Sequence, residues 1–265
     1  MPSSQPSLNF RTQPAREPAI PRPEGPGQDR ELVRGASLEH YCAGVLHRRT
    51  AMVAVEEPLR IDVPGREGIL LLRTPGDDQR LITGHIFSLG LIRTPADILG
   101  MAVQGGDPGR VRVRLRAVNT RRTPVPLPDR PCIDPERIFR LRDRFEQRQQ
   151  LYHSTRATHA AALFRADGEL LAYGEDVSRH CAFDKAVGLA LEDRLLSGVE
   201  IAMLTSRLAS DLAAKAARAR IPVLCGFSAA TSAGMELAEK HGITLIGRIG
   251  RDGFTVYANA RRIRL

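Results

Sequence analysis

Apolar and polar positions change rhythm halfway along the chain. In the first half they alternate in short runs. GRVRVRLRAV alternates strictly, so Arg110, Arg112, Arg114 and Arg116 fall on one face of a strand and Val111, Val113, Leu115 and Ala117 on the other. The arginine face reads either as a solvated strand face or as a ladder facing phosphates. MVAVEEPLRIDV and GILLLRT read as strands separated by the turn PGREG. DDQRLITGHIFSLGLI predicts a helix with Asp77 or Asp78 near its start. PERIFRLRDRFEQRQQLYHS predicts a polar helix, with Ile138, Leu141, Phe145 and Leu151 on or near one stripe.

In the second half continuous apolar runs replace the alternation. HAAALFRADGELLAYGED reads as a hairpin turning at Asp167 and Gly168. The buried strands VEIAMLT, IPVLCGF and ITLIGRI follow, with FTVYA last. Between them lie the helices FDKAVGLALEDRLL, RLASDLAAKAARAR and SAGMELAEKHG, the last closed by Gly242. Strands alternating with helices of this length imply parallel βαβ units in a three-layer sandwich. The expected class is α/β, with a smaller β-rich α+β domain over residues 37–150, ending in the connecting helix, and the layered domain over 151–265. Residues 1–36 are rich in Pro, Ser, Gln and Arg. They bury too little apolar surface to offset their ordering entropy and are expected to be a disordered tail.

The 265 residues suffice for a real core. Tryptophan is absent and aromatics make up 5%, so aliphatic side chains must fill that core and base stacking is poorly supplied. The net charge of +9, mostly from arginine, suits anionic cofactors, nucleic acid or an acidic partner. Arginine enrichment in a high-GC genome would give the same composition. Nucleic acid has only the charge in its favour. Cys42, Cys132, Cys181 and Cys225 are widely spaced and form no C-x-x-C pair, which excludes a disulfide scaffold. No apolar run nears the roughly 20 residues that span a bilayer, and no signal-peptide core is visible. A cytoplasmic protein with reduced thiols and no membrane contact is expected.

Ligands in such sheets bind beyond the carboxyl ends of the strands. Two loops belong there. Thr205, Ser206 and Arg207 follow one buried strand, and Ser228, Thr231 and Ser232 follow the next; both loops are expected to open helices. Small hydroxyl residues at a helix N-terminus favour an anion, though they also serve as plain caps. A third feature is GEDVSRHCAFDKAVG (174–188), which gathers Asp176, Arg179, His180, Cys181, Asp184 and Lys185. Its acids are expected either to hold Arg179 and His180 against an anionic ligand or to form an ion-pair network alone. A zinc deaminase would need H-x-E and P-C-x-x-C. His159 is followed by Ala160 and Ala161, so no metal set is expected.

The blocks THAAAL (158–163), GEDVSRHCAFDKAVG, TSRLASDLAAKAARARIPVLCGFSAATSAGMELAEKHGITLIGRI (205–249) and FTVYAN (254–259), with AVEEPLRIDV and LRTPGDDQRLITGHIFSLGLI before them, carry a resemblance. The chain resembles the formate dehydrogenase accessory sulfurtransferases from about residue 50 to 260. The resemblance implies a cytidine-deaminase-like α/β domain. It also implies a bound substrate, the bis-guanine-dinucleotide form of the molybdenum cofactor, and sulfur received as a persulfide from a cysteine desulfurase for apo formate dehydrogenase or a related molybdoenzyme. It further suggests a homodimer. Cofactor contacts are expected at His159, Asp176, Arg179, His180, Ser206, Arg207, Ser228, Thr231 and Ser232. Phe254, Thr255, Val256, Tyr257, Ala258 and Asn259 match the family's cofactor segment. The family's C-G-x-C-G loop, whose cysteine accepts sulfur, is replaced here by NTRRTPVPLPDRP. Either another thiol, Cys181 or Cys132, carries the sulfur, or the chain is a cofactor-binding chaperone that does not. An accessible thiolate beside cations or a helix N-terminus is the requirement.

Overall fold

The computed structural model describes residues 31–117, 127 and 129–264. The expected tail therefore lies outside the described residues up to position 30, as does most of the segment replacing the family's cysteine loop.

The chain first forms a long two-stranded arm. Strands β1 (Val33–Cys42) and β2 (Val45–Ala54) pair antiparallel along their whole length, from Val33 opposite Ala54 to Cys42 opposite Val45. Ala43 and Gly44 form the two-residue turn with φ of 48° and 85°. This backbone matches the strand twist and favours Asn-Gly, so Ala-Gly gives no signal in the sequence. β1 begins inside the stretch expected as a tail. MVAVEEPLRIDV, expected as one strand, is two: its start closes β2 and its end is β3 (Glu57–Asp62). The break falls at Val55, a buried residue whose N–H donates to Leu32 O and fixes the base of the arm.

A four-stranded sheet follows, in the order β4-β3-β6-β5, where β4 is Ile69–Arg73, β5 Ile98–Gln104 and β6 Asp107–Leu115. The predicted alternation is present in β6: Val111 and Val113 are buried while Arg110, Arg112 and Arg114 are exposed. Val111 and Val113 join Leu59 and Ile61 of β3 in one apolar cluster with Leu81, Ile82, Ile86 and Phe87 of α1 (Asp78–Ser88).

The larger unit is a six-stranded sheet in the order β12-β11-β10-β9-β7-β8. β7 (His159–Phe164) and β8 (Leu170–Asp176) form the predicted hairpin. β9 (Ile201–Leu204), β10 (Val223–Gly226) and β11 (Thr244–Gly247) are parallel, and β12 (Thr255–Ala258) closes the edge antiparallel. One face carries Ala160, Ala162, Met203, Val223 and Ile246 and packs on Ile138, Leu141 and Phe145 of α2 (Pro135–Arg148). The helix expected as continuous through residue 154 breaks at Gln149, and α3 (Gln150–Thr155) is a separate piece. The other face packs on α4 (Arg179–Glu192), α5 (Ser210–Ala219) and α6 (Ser232–His241). Helices thus cover both faces, the three-layer α/β arrangement that the apolar runs predict.

The two units meet where α1 crosses α4. A Cβ added at Gly84 would lie 1.9 Å from Asp184 O, and one at Gly188 would lie 1.9 Å from Arg80 O. Only two glycines facing each other's backbone permit so close a crossing. No described helix is long and apolar enough to cross a membrane.

Candidate functional site

The carboxyl ends of β9 and β10 and the start of β7 converge on one edge of the six-stranded sheet. There, Thr205 Oγ1 accepts the Ala160 N–H at 3.0 Å and lies 3.1 Å from His159 Nδ1. Donating its own hydrogen to Nδ1, the hydroxyl favours the tautomer whose Nε2–H faces outward. Burial holds the His159 pKa below the ordinary imidazole value, and the positive charge of Arg179 lowers it further. His159 is therefore a neutral donor at pH 7. A cavity of about 810 Å³ opens in front of it. Phe227 and Thr205 line its sheet side, and Tyr152, His153 and Arg156 line its α3 side. Arg156, at φ 58° where α3 ends, lays its guanidinium 5.1 Å from the Tyr152 ring centre and forms no ion pair among the described residues. The volume and the mix of apolar and donor groups suit an organic ligand with anionic parts.

Glu175 builds the α3 wall. Its carboxylate accepts the Leu151 and Tyr152 N–H groups at 3.3 and 2.7 Å and the Thr158 hydroxyl at 3.0 Å. A strand residue thereby supplies the cap that Gln149 does not.

The two loops after β9 and β10 stand at this edge but differ from expectation. The first does not open a helix directly: Leu208 forms a parallel bridge with Ala230, and α5 starts only at Ser210. Ser206 is buried and donates its hydroxyl to Arg207 O. In the second loop Thr231 caps α6 by accepting the Gly234 N–H at 3.1 Å, and Ser232 is the first helical residue. The loops bind each other through Leu208 N–H to Ala229 O and Thr231 N–H to Leu208 O, which consumes N–H groups that an anion would need. Ser228 O accepts the Arg248 N–H.

The stretch 174–188 resolves into two roles. Asp176 is wholly buried: its carboxylate takes the Lys185 ammonium at 2.8 Å, the Ser178 N–H at 2.9 Å and the Thr74 N–H at 3.2 Å. Asp184 takes the Lys215 ammonium, His85 Nδ1 and the Ser88 hydroxyl. These acids join the two units, and Asp176, expected at the ligand, is here engaged by Lys185, Ser178 and Thr74. Arg179 and His180 remain toward the sheet edge, both facing Asp211, with His180 Nε2 3.0 Å from its carboxylate. Burial lowers the His180 pKa despite Asp211. Arg179 Nε is buried without a hydrogen-bond partner among the described residues.

Cys181 does not meet the thiolate requirement. It is buried in the first turn of α4 with Sγ 3.6 Å from Leu72 O, and burial pushes its pKa up to about 12. Its N–H is capped by Ser178. Cys225 lies wholly buried in β10 and its pKa is raised by burial. Cys42 and Cys132 are exposed. Cys42 ends β1 at the tip of the arm. Cys132 precedes Ile133, which bridges Ile263 beside the start of β11, at the sheet edge opposite His159. A four-residue strand separates those edges, about 13 Å of backbone.

The segment Phe254–Asn259 is split in role. Phe254 packs on Phe139 with ring centres 5.7 Å apart. Thr255, Val256 and Tyr257 are exposed or half-buried on the edge strand, and Ala258 is buried. Asn259 is structural: its amide donates to Ala238 O and Ile243 O at 3.1 and 2.9 Å.

The FdhD/NarQ family model matches residues 108–264, from β6 through the last strand. The chain belongs to the FdhD/NarQ family. It is 33% identical over 232 residues to the sulfur carrier protein FdhD of Sulfurisphaera tokodaii, covering 80% of this chain and 91% of the relative. It is 34% identical over 260 residues to the sulfur carrier protein FdhD of Streptomyces coelicolor, covering 84% and 92%. Its fold matches the crystal structure of a protein of Desulfotalea psychrophila described as a formate dehydrogenase accessory protein. The TM-score is 0.76 at 26% identity, over 88% of this chain and all of the other. Within this FdhD/NarQ member the sequence motifs led to His159 and the neighbouring loops. They missed Tyr152, His153 and Phe227, which become neighbours only through the break at Gln149. Arg156 lies just before the THAAAL block, between α3 and β7.

Proposed function

We propose that this chain serves formate dehydrogenase maturation in the cytoplasm as a sulfur carrier. Its substrate is the molybdenum cofactor in its bis-guanine-dinucleotide form, bound in the cavity before His159. The reading is carried by that cavity: a neutral imidazole donor, the Thr205 hydroxyl and the Arg156 guanidinium share one opening of about 810 Å³. Arg156 supplies charge for phosphate oxygens, and Tyr152 and Phe227 supply apolar walls for a heterocycle. The partners are a cysteine desulfurase, apo formate dehydrogenase and a second copy of the chain. Cys132 is the thiol for sulfur. Its thiolate attacks the terminal sulfur of the desulfurase persulfide, forming a Cys132 persulfide and releasing the desulfurase thiolate, with no outside oxidant.

Calorimetric titration with GDP tests the cavity. Binding is expected in the wild type and weakened about tenfold in Arg156→Ala, the loss of one charge-assisted contact. Absence of GDP binding, or equal binding by the variant, overturns the assignment.

The placement of the thiols favours a second reading, a cofactor-binding chaperone that does not carry sulfur. Neither exposed thiol is at the cavity, and Cys181 and Cys225 are both buried. Mass spectrometry after incubation with a desulfurase and cysteine separates the readings. A one-sulfur adduct that disappears in Cys132→Ala supports the carrier. GDP binding without any adduct supports the chaperone.

A further inference from the structure

A second cavity, of about 600 Å³, lies at the opposite edge of the six-stranded sheet. It is bounded by the turn before β9, the end of α5 and the loop after α1, and its lining includes Arg93, Arg130, Arg165 and Arg220. Four arginines therefore line one space, of which Arg220 has an interaction of its own. Glu200 is the carboxylate in the lining, and its Oε2 already accepts the Ala166 N–H at 2.7 Å. Arg165 is paired with Glu169 at the rim. The side chains of Arg93 and Arg130 make no ion pair or hydrogen bond among the described residues. The carboxyl end of α5 opposes an anion here with about half an elementary charge and Glu200 adds one more, while Arg165 is offset by Glu169; Arg93 and Arg130 still leave the space positive. Phe87 and Leu196 give the cavity an apolar wall. The Phe87 wall is fixed by Arg218, whose guanidinium lies 5.4 Å from the ring centre and donates to Phe87 O and Ile92 O at 3.2 and 3.0 Å.

We propose that this cavity binds a phosphorylated small molecule carrying two or more negative charges, at a site separate from the His159 cavity. Planar guanidinium forks match phosphate oxygens in pairs, and several on one concave wall select a multiply charged group over a single carboxylate. The apolar wall beside them accommodates the organic part. The site requires neither sulfur transfer nor the guanine dinucleotide.

The test is calorimetric titration of the full chain with inorganic pyrophosphate, alongside hydrogen exchange of residues 196–200 and 219–222. Three proteins are compared: wild type, Arg93→Ser/Arg165→Ser and Arg156→Ala. Arg93 is exposed and Arg165 is half-buried with its charged end at the rim, so the fold of the double variant is expected to persist. Pyrophosphate is expected to protect both segments in the wild type and in Arg156→Ala. In the double variant the affinity falls by about tenfold or more, as for two lost charge-assisted contacts, while GDP binding at the other cavity is unchanged. Pyrophosphate binding that survives in the double variant, or that protects neither segment, overturns the proposal. Loss of pyrophosphate binding only in Arg156→Ala places the anion in the first cavity and also overturns it.

Discussion

Cys181 shows how a residue's neighbours in sequence and in space pull in opposite directions. Beside His180 and Arg179 at a helix start it has the sequence context of a reactive thiol. In space it faces Leu72 and is excluded from water, and its pKa of about 12 leaves roughly one thiolate in ten thousand at pH 8. Alkylation followed by peptide mass spectrometry is expected to label Cys42 and Cys132 in the native protein at pH 8. Cys181 and Cys225 are expected to react only after denaturation. Rapid native labelling of Cys181 would contradict its placement. Asp184 makes the complementary case. Burial raises its carboxyl's pKa, but Lys215 and His85 outweigh that and hold it below the ordinary value. A depressed carboxylate stabilises the fold above the unfolded pKa, about 3.9, and loses that contribution as pH falls through the lower folded value. Asp184→Ala is expected to lower stability by about 3 to 5 kcal/mol at pH 7, because it removes the buried carboxylate and leaves the half-buried Lys215 ammonium without its counter-charge. The deficit measured by denaturant titration shrinks as pH falls below about 4. A deficit that does not change with pH would refute the ion-pair account.

Among the elements, those whose own sequence period decides their environment were legible. β6 alternates because one face meets the core and the other meets water, and β9 to β11 are continuous apolar runs because helices cover both faces. The arm β1–β2 was not legible, because its residues are exposed on both faces and no burial constraint imprints a period on them. Nor was the break at Gln149, where capping comes from Glu175, 26 positions later. The site shares this limit. Motifs marked His159 and its loops, but the α3 wall depends on that long-range cap. The α1–α4 crossing is legible only afterwards, since Gly84 and Gly188 matter through each other's helix. Gly84→Ala and Gly188→Ala are each expected to destabilise by about 1 to 3 kcal/mol or more, as forced overpacking. Gly35→Ala, with nothing within 4 Å, is the control and is expected to leave the melting temperature nearly unchanged. Equal melting temperatures for all three would disprove the close crossing.

At the scale of the molecule, one apolar cluster runs from the four-stranded sheet through α1 and α4 to the larger sheet. The two cavities occupy opposite edges of that larger sheet, one beside α3 and one below α5. α4 begins near the first with Arg179 and passes through the crossing at Asp184 and Gly188, so a single rigid helix links the site to the smaller unit. The Asp176–Lys185–Thr74 contacts tie the end of β8 to the same unit. Because α1 buries Leu81, Ile82, Ile86 and Phe87 within the shared cluster, neither half closes its own interior. Severed between β6 and α2, the chain would give two fragments that each expose a sticky apolar wall. Produced together they would have strong reason to find one another again, which makes this fold a natural split pair whose reunion rebuilds the arginine-lined cavity, with Phe87 and Arg93 from one piece and Arg165 and Arg220 from the other.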